Sequence, residues 1–137
     1  MTHLGGCLCR AVRIEIDAEP MAARMCWCRQ CQYLGGGSAT VNVCFPADKV
    51  RTTGEVRWHE NVADSGNRMR RGFCPACGTP LFSVAEPRPH LVFIRAGALD
   101  DPNLMAPEAI IWTSAAPAWA CHDPDVPRYP AQIPPVA

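Results

Sequence analysis

The sequence predicts an all-β fold, and three observations support this prediction. Short apolar or alternating segments recur along the 137 residues, and turn residues such as glycine, proline, asparagine and aspartate separate them. Alternation at every second position is typical of a strand with one buried face. No window carries a helical apolar period over the roughly 10–12 residues that indicate a helix. We therefore expect a compact domain of short antiparallel strands with at most one turn of helix.

The predicted strands follow one another in chain order. Segment 10–17 places alternating apolar residues on one face, and segment 38–45 follows a run of three glycines as a second strand. Residues 46–49 resemble one helical turn. Five further strands are predicted at 55–59, 68–73, 80–84, 90–96 and 109–113. The turns between them lie at Gly54, at 64–67, at Pro87 with Pro89, and at 100–103.

Length and composition predict a single domain over residues 1–137. Chains of this size commonly form one domain, and a hydrophobic fraction of 48% is enough for a buried core. No internal repeat and no second apolar region divides the chain. From about residue 117 onward, six of 21 residues are proline, which predicts an extended surface tail.

Net charge and hydropathy argue against nucleic acids and membranes as binding partners. Thirteen Lys and Arg residues balance thirteen Asp and Glu residues, whereas nucleic acids and anionic lipids select strongly basic surfaces. No apolar run approaches the roughly 20 residues that span a bilayer, and the first residues lack the pattern of a secretion signal. We therefore expect a cytoplasmic protein that binds neither nucleic acid nor membrane.

Nine cysteines are the most informative residues of the sequence. Cysteine at this density is typical of disulfides in small secreted domains or of metal sites in intracellular ones. The odd count, the missing secretion signal and the grouping of seven cysteines into three tight clusters favour metal. Cys44 and Cys121 lie outside the clusters and are expected to be bystanders.

Two of the clusters predict one closed metal site. Cys74 and Cys77, followed directly by glycine, have the spacing of a zinc-ribbon knuckle. A redox pair would need a helix N-terminus after this motif, which Pro80 disfavours. Cys7 and Cys9 precede the first predicted strand, where residues i and i+2 of an extended segment project to the same face. These four sulfurs predict a structural zinc that ties the N-terminal edge of the sheet to a segment about 65 residues later.

The third cluster, Cys26, Cys28 and Cys31, predicts a second and different site. Three protein ligands leave a fourth position for water or substrate, which is typical of a catalytic zinc. A second structural site is the alternative, with a distant residue as the fourth ligand. The candidates for that ligand are His59, His90, His122, Cys44 and Cys121. An iron–sulfur cluster is a further option, although the spacing fits the usual cluster motifs poorly.

The cysteine motifs resemble those of the glutathione-dependent formaldehyde-activating enzyme family. The matching features are G-G-C-x-C near the start, then C-x-C-x-x-C, then F-C-x-x-C-G-T-x-L-F. Further matches are the glycines at 35–36, the turn at 64–67, the segment 97–102, the pair 111–112 and Trp119. The resemblance covers residues 3 to 130, nearly the whole chain.

The resemblance implies an all-β domain built on a zinc clamp, with two zinc ions per chain. It implies a structural zinc on Cys7, Cys9, Cys74 and Cys77 and a second zinc on Cys26, Cys28 and Cys31. The activity it implies joins formaldehyde to the thiol of glutathione, a reaction counted among those of carbon–sulfur lyases. Small-molecule thiols and aldehydes are then the expected partners. The chain has Arg10 where many relatives have glycine, and Trp27 where many have histidine.

An anionic thiol such as glutathione would need cationic groups to hold its carboxylates. Arginine binds carboxylates bidentately, so four arginines near the cysteine motifs are candidates for this contact. They are Arg10, Arg29, Arg70 and Arg71. Trp27 and Tyr33 flank the third cluster and are candidates for the wall of a pocket.

The alternative to an enzyme is a non-catalytic zinc module that engages a protein partner.

Overall fold

A computed structural model describes residues 2–137 of the protein as two β-sheets with little helix. Its strands have the following bounds. They are β1 His3–Gly6, β2 Arg13–Ile16, β3 Ala22–Cys26, β4 Thr40–Pro46, β5 Val50–Thr53, β6 Arg57–Val62, β7 Arg68–Phe73, β8 Pro80–Ala85, β9 Leu91–Arg95 and β10 Ala109–Ile111. One α-helix, α1, spans Arg29–Leu34, and 3-10 turns span Ala47–Lys49, Ala96–Ala98 and Thr113–Ala115.

The two sheets differ in size and in exposure. The small sheet has the order β1-β2-β5, and the large sheet has the order β10-β3-β4-β9-β8-β7-β6. Neighbouring strands are antiparallel, with the exception of β10, which runs parallel to β3. The prediction of antiparallel strands is therefore wrong for this one edge, where the long connection from β9 returns the chain beside β3.

The main hydrophobic core joins one face of the large sheet to the small sheet. Val43 and Ile94 come from the centre of the large sheet, and Ile14 and Ile16 come from the small sheet; all four are buried in one cluster. Strand residues alternate between two faces. The opposite face of the large sheet therefore carries the intervening residues, among them Asn42 and Arg95, which are paired across β4 and β9. This second face forms the floor of the site described below.

The prediction of an all-β fold is confirmed, and all seven predicted strands are present; the strand at 68–73 has the predicted bounds, and the other six have shifted ends. The predicted helical turn is the 3-10 turn Ala47–Lys49. Strands β1, β3 and β5 were not predicted, because HLGG, AARMC and VRTT are too short or too poor in alternating β-branched residues. The expectation of at most one helical turn was also wrong, because the structure contains the helix α1 as well. This helix was not predicted because it is only six residues long and shows no helical period.

No helix among residues 2–137 has the length and apolar composition needed to cross a bilayer.

Candidate metal centres and the cavity beside the three-cysteine cluster

Cys7, Cys9, Cys74 and Cys77 meet at one point, as the sequence predicted. Their Sγ atoms all lie within 4.8 Å of one another. The Cys7–Cys9 and Cys9–Cys74 sulfur distances are 3.6 Å and 3.8 Å. Four sulfurs placed tetrahedrally at about 2.3 Å from an ion would be separated by about 3.8 Å. A disulfide would need about 2.05 Å, so the donor set fits a four-coordinate ion and not a pair of bridges.

Two tight turns bring these cysteines together. The first follows β7, where the Gly78 N–H donates to the Cys74 carbonyl at 2.8 Å and Gly78 adopts a φ of 78°. The second follows β1, where the Arg10 N–H donates to the Cys7 carbonyl at 3.1 Å and Arg10 adopts a φ of 69°. Glycine suits the left-handed region, whereas arginine is strained there. Because β1 and β7 belong to different sheets, this clamp joins the two sheets.

Hydrogen bonds to sulfur favour the thiolate form of two clamp ligands, Cys7 and Cys77. The Val12 N–H donates to Cys7 Sγ at 3.2 Å. The Thr79 hydroxyl lies 3.1 Å from Cys77 Sγ and accepts the Leu8 N–H at 3.1 Å. The Thr79 side chain and its backbone lower the pKa of Cys77 to about 5. Thr79 belongs to the quoted motif around Cys74 and Cys77, but sequence reasoning predicted no role for it.

Cys26, Cys28 and Cys31 form the second cluster at the junction of β3 and α1. Cys26 is the last residue of β3, and Cys28 is the N-cap of α1, whose Sγ accepts the Cys31 N–H at 3.4 Å. The three Sγ atoms lie within 4.8 Å of one another. Hydrogen bonds from the Cys26 and Cys28 thiols lower the pKa of Cys31, so that one sulfur of the group ionises readily.

The second cluster has three potential metal ligands. Over residues 2–137, no histidine, cysteine or carboxylate joins these three sulfurs within the same distance. The fourth-ligand candidates from the sequence therefore lie elsewhere. Cys44 is buried against Ala22 and Leu91, and Cys121 is exposed. His122 packs against the ring of Trp27 at a centroid distance of 5.9 Å. The arrangement could hold an ion with one coordination position left for another molecule.

The three cysteines line a cavity on the second face of the large sheet. The cavity is open to solvent, and its empty volume including the open mouth is about 960 Å³. The floor includes Ser83 and Phe93, and the hairpin turn between β6 and β7 contributes Asp64 and Asn67 to the wall. Its basic side chains are all arginines, namely Arg24, Arg71, Arg88 and Arg95.

Two of the cavity arginines are deeply buried without an acidic partner. Arg71 and Arg95 are 8% and 7% exposed, and the Nε–H of each has no hydrogen-bond partner. One Nη of Arg95 donates to Asn42 Oδ1, and one Nη of Arg71 donates to Asn61 Oδ1. None of the ion pairs found among residues 2–137 involves any of the four cavity arginines. Burial lowers the pKa of Arg95, which the nearby Cys31 sulfur opposes.

The predicted substrate arginines lie in different places. Arg71 lines the cavity, whereas Arg10 is exposed in the turn of the clamp. Arg29 is exposed on α1, with its guanidinium 5.2 Å from the centre of the Tyr33 ring. Arg70 contacts Trp58 and Glu60 on the exposed part of the sheet. Sequence reasoning missed Arg24, Arg88 and Arg95. For Arg95 the sequence does contain a signal of a buried charge, because this arginine ends the apolar run of β9.

Buried contacts behind the cluster hold α1 in place. The Gln32 amide donates to the carbonyls of Trp27 and Ala115 at 2.8 Å and 2.9 Å. Trp27 is buried, with the Trp119 ring 6.2 Å away in an edge-on arrangement. Neither Trp27 nor Tyr33 lines the cavity. The tryptophan between the first two cysteines therefore anchors the cluster to the C-terminal part of the chain.

These features define a β protein with two cysteine sites that could hold metal ions, one closed and one facing a cavity. Residues 2–115 match the family described as glutathione-dependent formaldehyde-activating enzyme, and the chain belongs to this family. The resemblance stated from the cysteine motifs is thereby confirmed. A crystal structure of a Rhodobacter sphaeroides protein shares the fold with a TM-score of 0.58 and 20% sequence identity, over 73% of this chain and 92% of that chain. No curated protein matches the sequence.

Proposed function

We propose that the protein is a zinc-dependent enzyme of the carbon–sulfur lyase type. It joins a small aldehyde such as formaldehyde to a carboxylate-bearing thiol such as glutathione. The observation that carries this proposal is a three-cysteine cluster that opens into a cavity with buried arginines. A module that only binds another protein has no use for buried, unpaired guanidinium groups beside such a cluster.

The two cysteine clusters have separate tasks in this proposal. Cys7, Cys9, Cys74 and Cys77 hold a structural zinc with no free coordination position. Cys26, Cys28 and Cys31 would hold the second zinc, which would supply a Lewis acid that makes a thiol more acidic.

Charge in the cavity favours an anionic thiol. Three thiolates and a divalent ion carry a net charge of about −1, whereas four arginines and Asp64 line the cavity around them. The inner arginines, Arg71 and Arg95, each have a free Nε–H with which to bind a carboxylate. Asp64 offers a partner for an ammonium group. Two carboxylates and one ammonium group are the charges that glutathione carries at neutral pH.

The reaction itself needs little more than binding and orientation. The thiol sulfur bonds to the carbonyl carbon of the aldehyde, the carbon–oxygen double bond becomes a single bond, and the thiol proton passes through solvent to the oxygen. The product is an S-hydroxymethyl thiol, and no oxidant or reductant is consumed. The arginines fix the carboxylate end of the thiol, which lowers the entropic cost of bringing sulfur and carbonyl together.

Turnover with a panel of thiols and aldehydes tests the proposal. The decisive variant is Cys28→Ser, because a serine hydroxyl keeps the N-cap of α1 but is a poor zinc ligand. Cys121→Ser is the matched control, since this exposed cysteine belongs to neither cluster. We expect turnover by the wild type and the control, and a loss of at least about 100-fold in Cys28→Ser.

Two results would count against the enzyme. Equal activity in Cys28→Ser and the control would remove the second cluster from catalysis. The non-catalytic zinc module would be favoured by two results together. The protein shows no turnover with any thiol–aldehyde pair, and it holds two ions per chain, of which the removal of either one unfolds it.

A further inference from the structure

Part of the chain beyond residue 126 lines the cavity. Its first part continues the edge of the large sheet, where the Ile110 N–H donates to the Pro127 carbonyl at 2.9 Å and the Tyr129 N–H donates to the Ile110 carbonyl at 2.8 Å. The Trp112 ring N–H then donates to Gln132 Oε1 at 2.9 Å. Gln132, Pro135 and Val136 are part of the cavity lining. We call residues 132–136 the strap.

Few contacts hold the strap in place. Ile133 packs against the cluster that contains Cys26, Cys28 and Cys31, and Val136 packs against Ala22, Cys44 and Leu91. Gln132, Pro134 and Pro135 are exposed, and the two anchoring side chains are only partly buried. A segment held by two half-buried side chains and a few hydrogen bonds opens at low cost in free energy.

Two cavity arginines bind the strap through its carbonyls. Arg24 Nη2 donates to the Pro134 carbonyl at 3.0 Å, and Arg88 Nη2 donates to the Val136 carbonyl. The inner pair, Arg71 and Arg95, is not involved and keeps its free Nε–H groups. The cavity therefore has an inner pair of arginines available to a ligand and an outer pair that the chain itself occupies.

A carboxylate competes well for the outer pair. Hydrogen bonds from a guanidinium to a carboxylate are stronger than those to a neutral carbonyl, and they are often bidentate. A thiol with one carboxylate near its sulfur needs the inner arginines alone. A thiol with a second, distant carboxylate reaches the outer arginines only if the strap leaves them. The family match ends at residue 115, so the strap lies outside the matched region.

We propose that the strap determines specificity by favouring compact monocarboxylate thiols over glutathione. This inference rests on the proposed function, because it concerns which thiol the same site accepts. The strap covers the outer arginines in the free protein, and glutathione binds only to the fraction of molecules in which the strap is open. If the strap is closed in about nine of ten molecules, the apparent affinity for glutathione is lowered about tenfold.

Equilibrium binding without aldehyde tests the strap. We would titrate the zinc-loaded full chain with 3-mercaptopropionate and with reduced glutathione in a calorimeter, and repeat both titrations on the double variant Ile133→Ser/Val136→Ser. Val62→Ser is the control, because this valine is 56% exposed and does not line the cavity. We expect the double variant to shift the ratio of the two affinities about tenfold in favour of glutathione, and the control to leave this ratio unchanged.

The outcomes separate the strap from the proposed function. If both thiols bind the wild type but change equally in the double variant, or if glutathione binding does not improve, the strap does not set specificity. If neither thiol binds any form of the zinc-loaded protein, the proposed function is wrong and the strap proposal is wrong with it. Circular dichroism of each variant checks that the sheets remain folded.

Discussion

Replacing Cys77 with alanine is expected to destabilise the whole fold. The clamp connects the turn after β1 with the turn after β7, so it links the small sheet to the large one. Cys77 is a suitable position for this test because it is less buried than Cys7 and Cys74. Its replacement removes a ligand while it removes few packing contacts from the core.

The magnitude follows from the length of chain that the clamp closes. We expect the three sulfurs that remain in Cys77→Ala to hold the ion too weakly to keep the cross-link closed. Cys9 and Cys74 are 65 residues apart, and a cross-link over a loop of that length reduces the entropy of the unfolded chain by the equivalent of about 4 kcal/mol at 25 °C. For 137 residues, the entropy of unfolding is about 0.29 kcal/mol/K, so this loss lowers the Tm by about 14 °C. The second cluster lies within six residues of one segment, and Cys28→Ser should therefore cost about 1 kcal/mol or less.

Thermal and urea unfolding of the zinc-loaded proteins provide the assay. Circular dichroism would follow the sheets in the wild type, Cys77→Ala, Cys28→Ser and the control Cys121→Ser. The metal content of each sample would be measured in parallel. A Cys77→Ala protein that keeps its Tm, or equal losses of Tm in Cys77→Ala and Cys28→Ser, would refute the division into a structural clamp and an open site.

Four further predictions follow from the site and its support. Thr79→Val should weaken zinc binding at the clamp about 10–100-fold in a chelator competition, because it removes the hydroxyl beside Cys77 Sγ; Thr52→Val on the exposed strand β5 is the control and should change nothing. Arg10→Gly should raise the free energy of unfolding by about 0.5–1 kcal/mol, since glycine tolerates a φ of 69°, and an unchanged urea midpoint would contradict this interpretation. Gln32→Leu should lower the free energy of unfolding by about 2 kcal/mol because two carbonyls lose their donor; a urea midpoint within error of the wild type would exclude this role. A mild chelator should remove one zinc per chain, from the three-cysteine site, without a change in circular dichroism, and native mass spectrometry that finds both ions lost together with unfolding would oppose it.

The part of the site that could be predicted from sequence is the part that lies close together in sequence. Cysteines at spacings of two and three residues have geometries that local backbone rules determine, so the chain order alone groups Cys7 with Cys9 and Cys74 with Cys77. Strand β2 was predicted for the same reason, because its residues alternate between polar and apolar.

The cavity could not be predicted in this way, because its arginines come together through sheet order. Arg24 and Arg95 lie on strands that both flank β4, yet they are about 70 residues apart in the chain. Only the register of β3 and β9 with β4 places both opposite Asn42. Helix α1 was missed because a thiol, which is not among the usual N-cap side chains, caps its first turn.

The choice of guanidinium over ammonium in the cavity has a chemical consequence. A lysine amine condenses with a carbonyl to form a Schiff base, whereas an arginine stays protonated and is a far poorer nucleophile. The chain has a single lysine, Lys49, which lies in a 3-10 turn and not in the cavity lining. Under the proposed function, an aldehyde in the cavity would therefore meet no lysine amine with which to form a Schiff base.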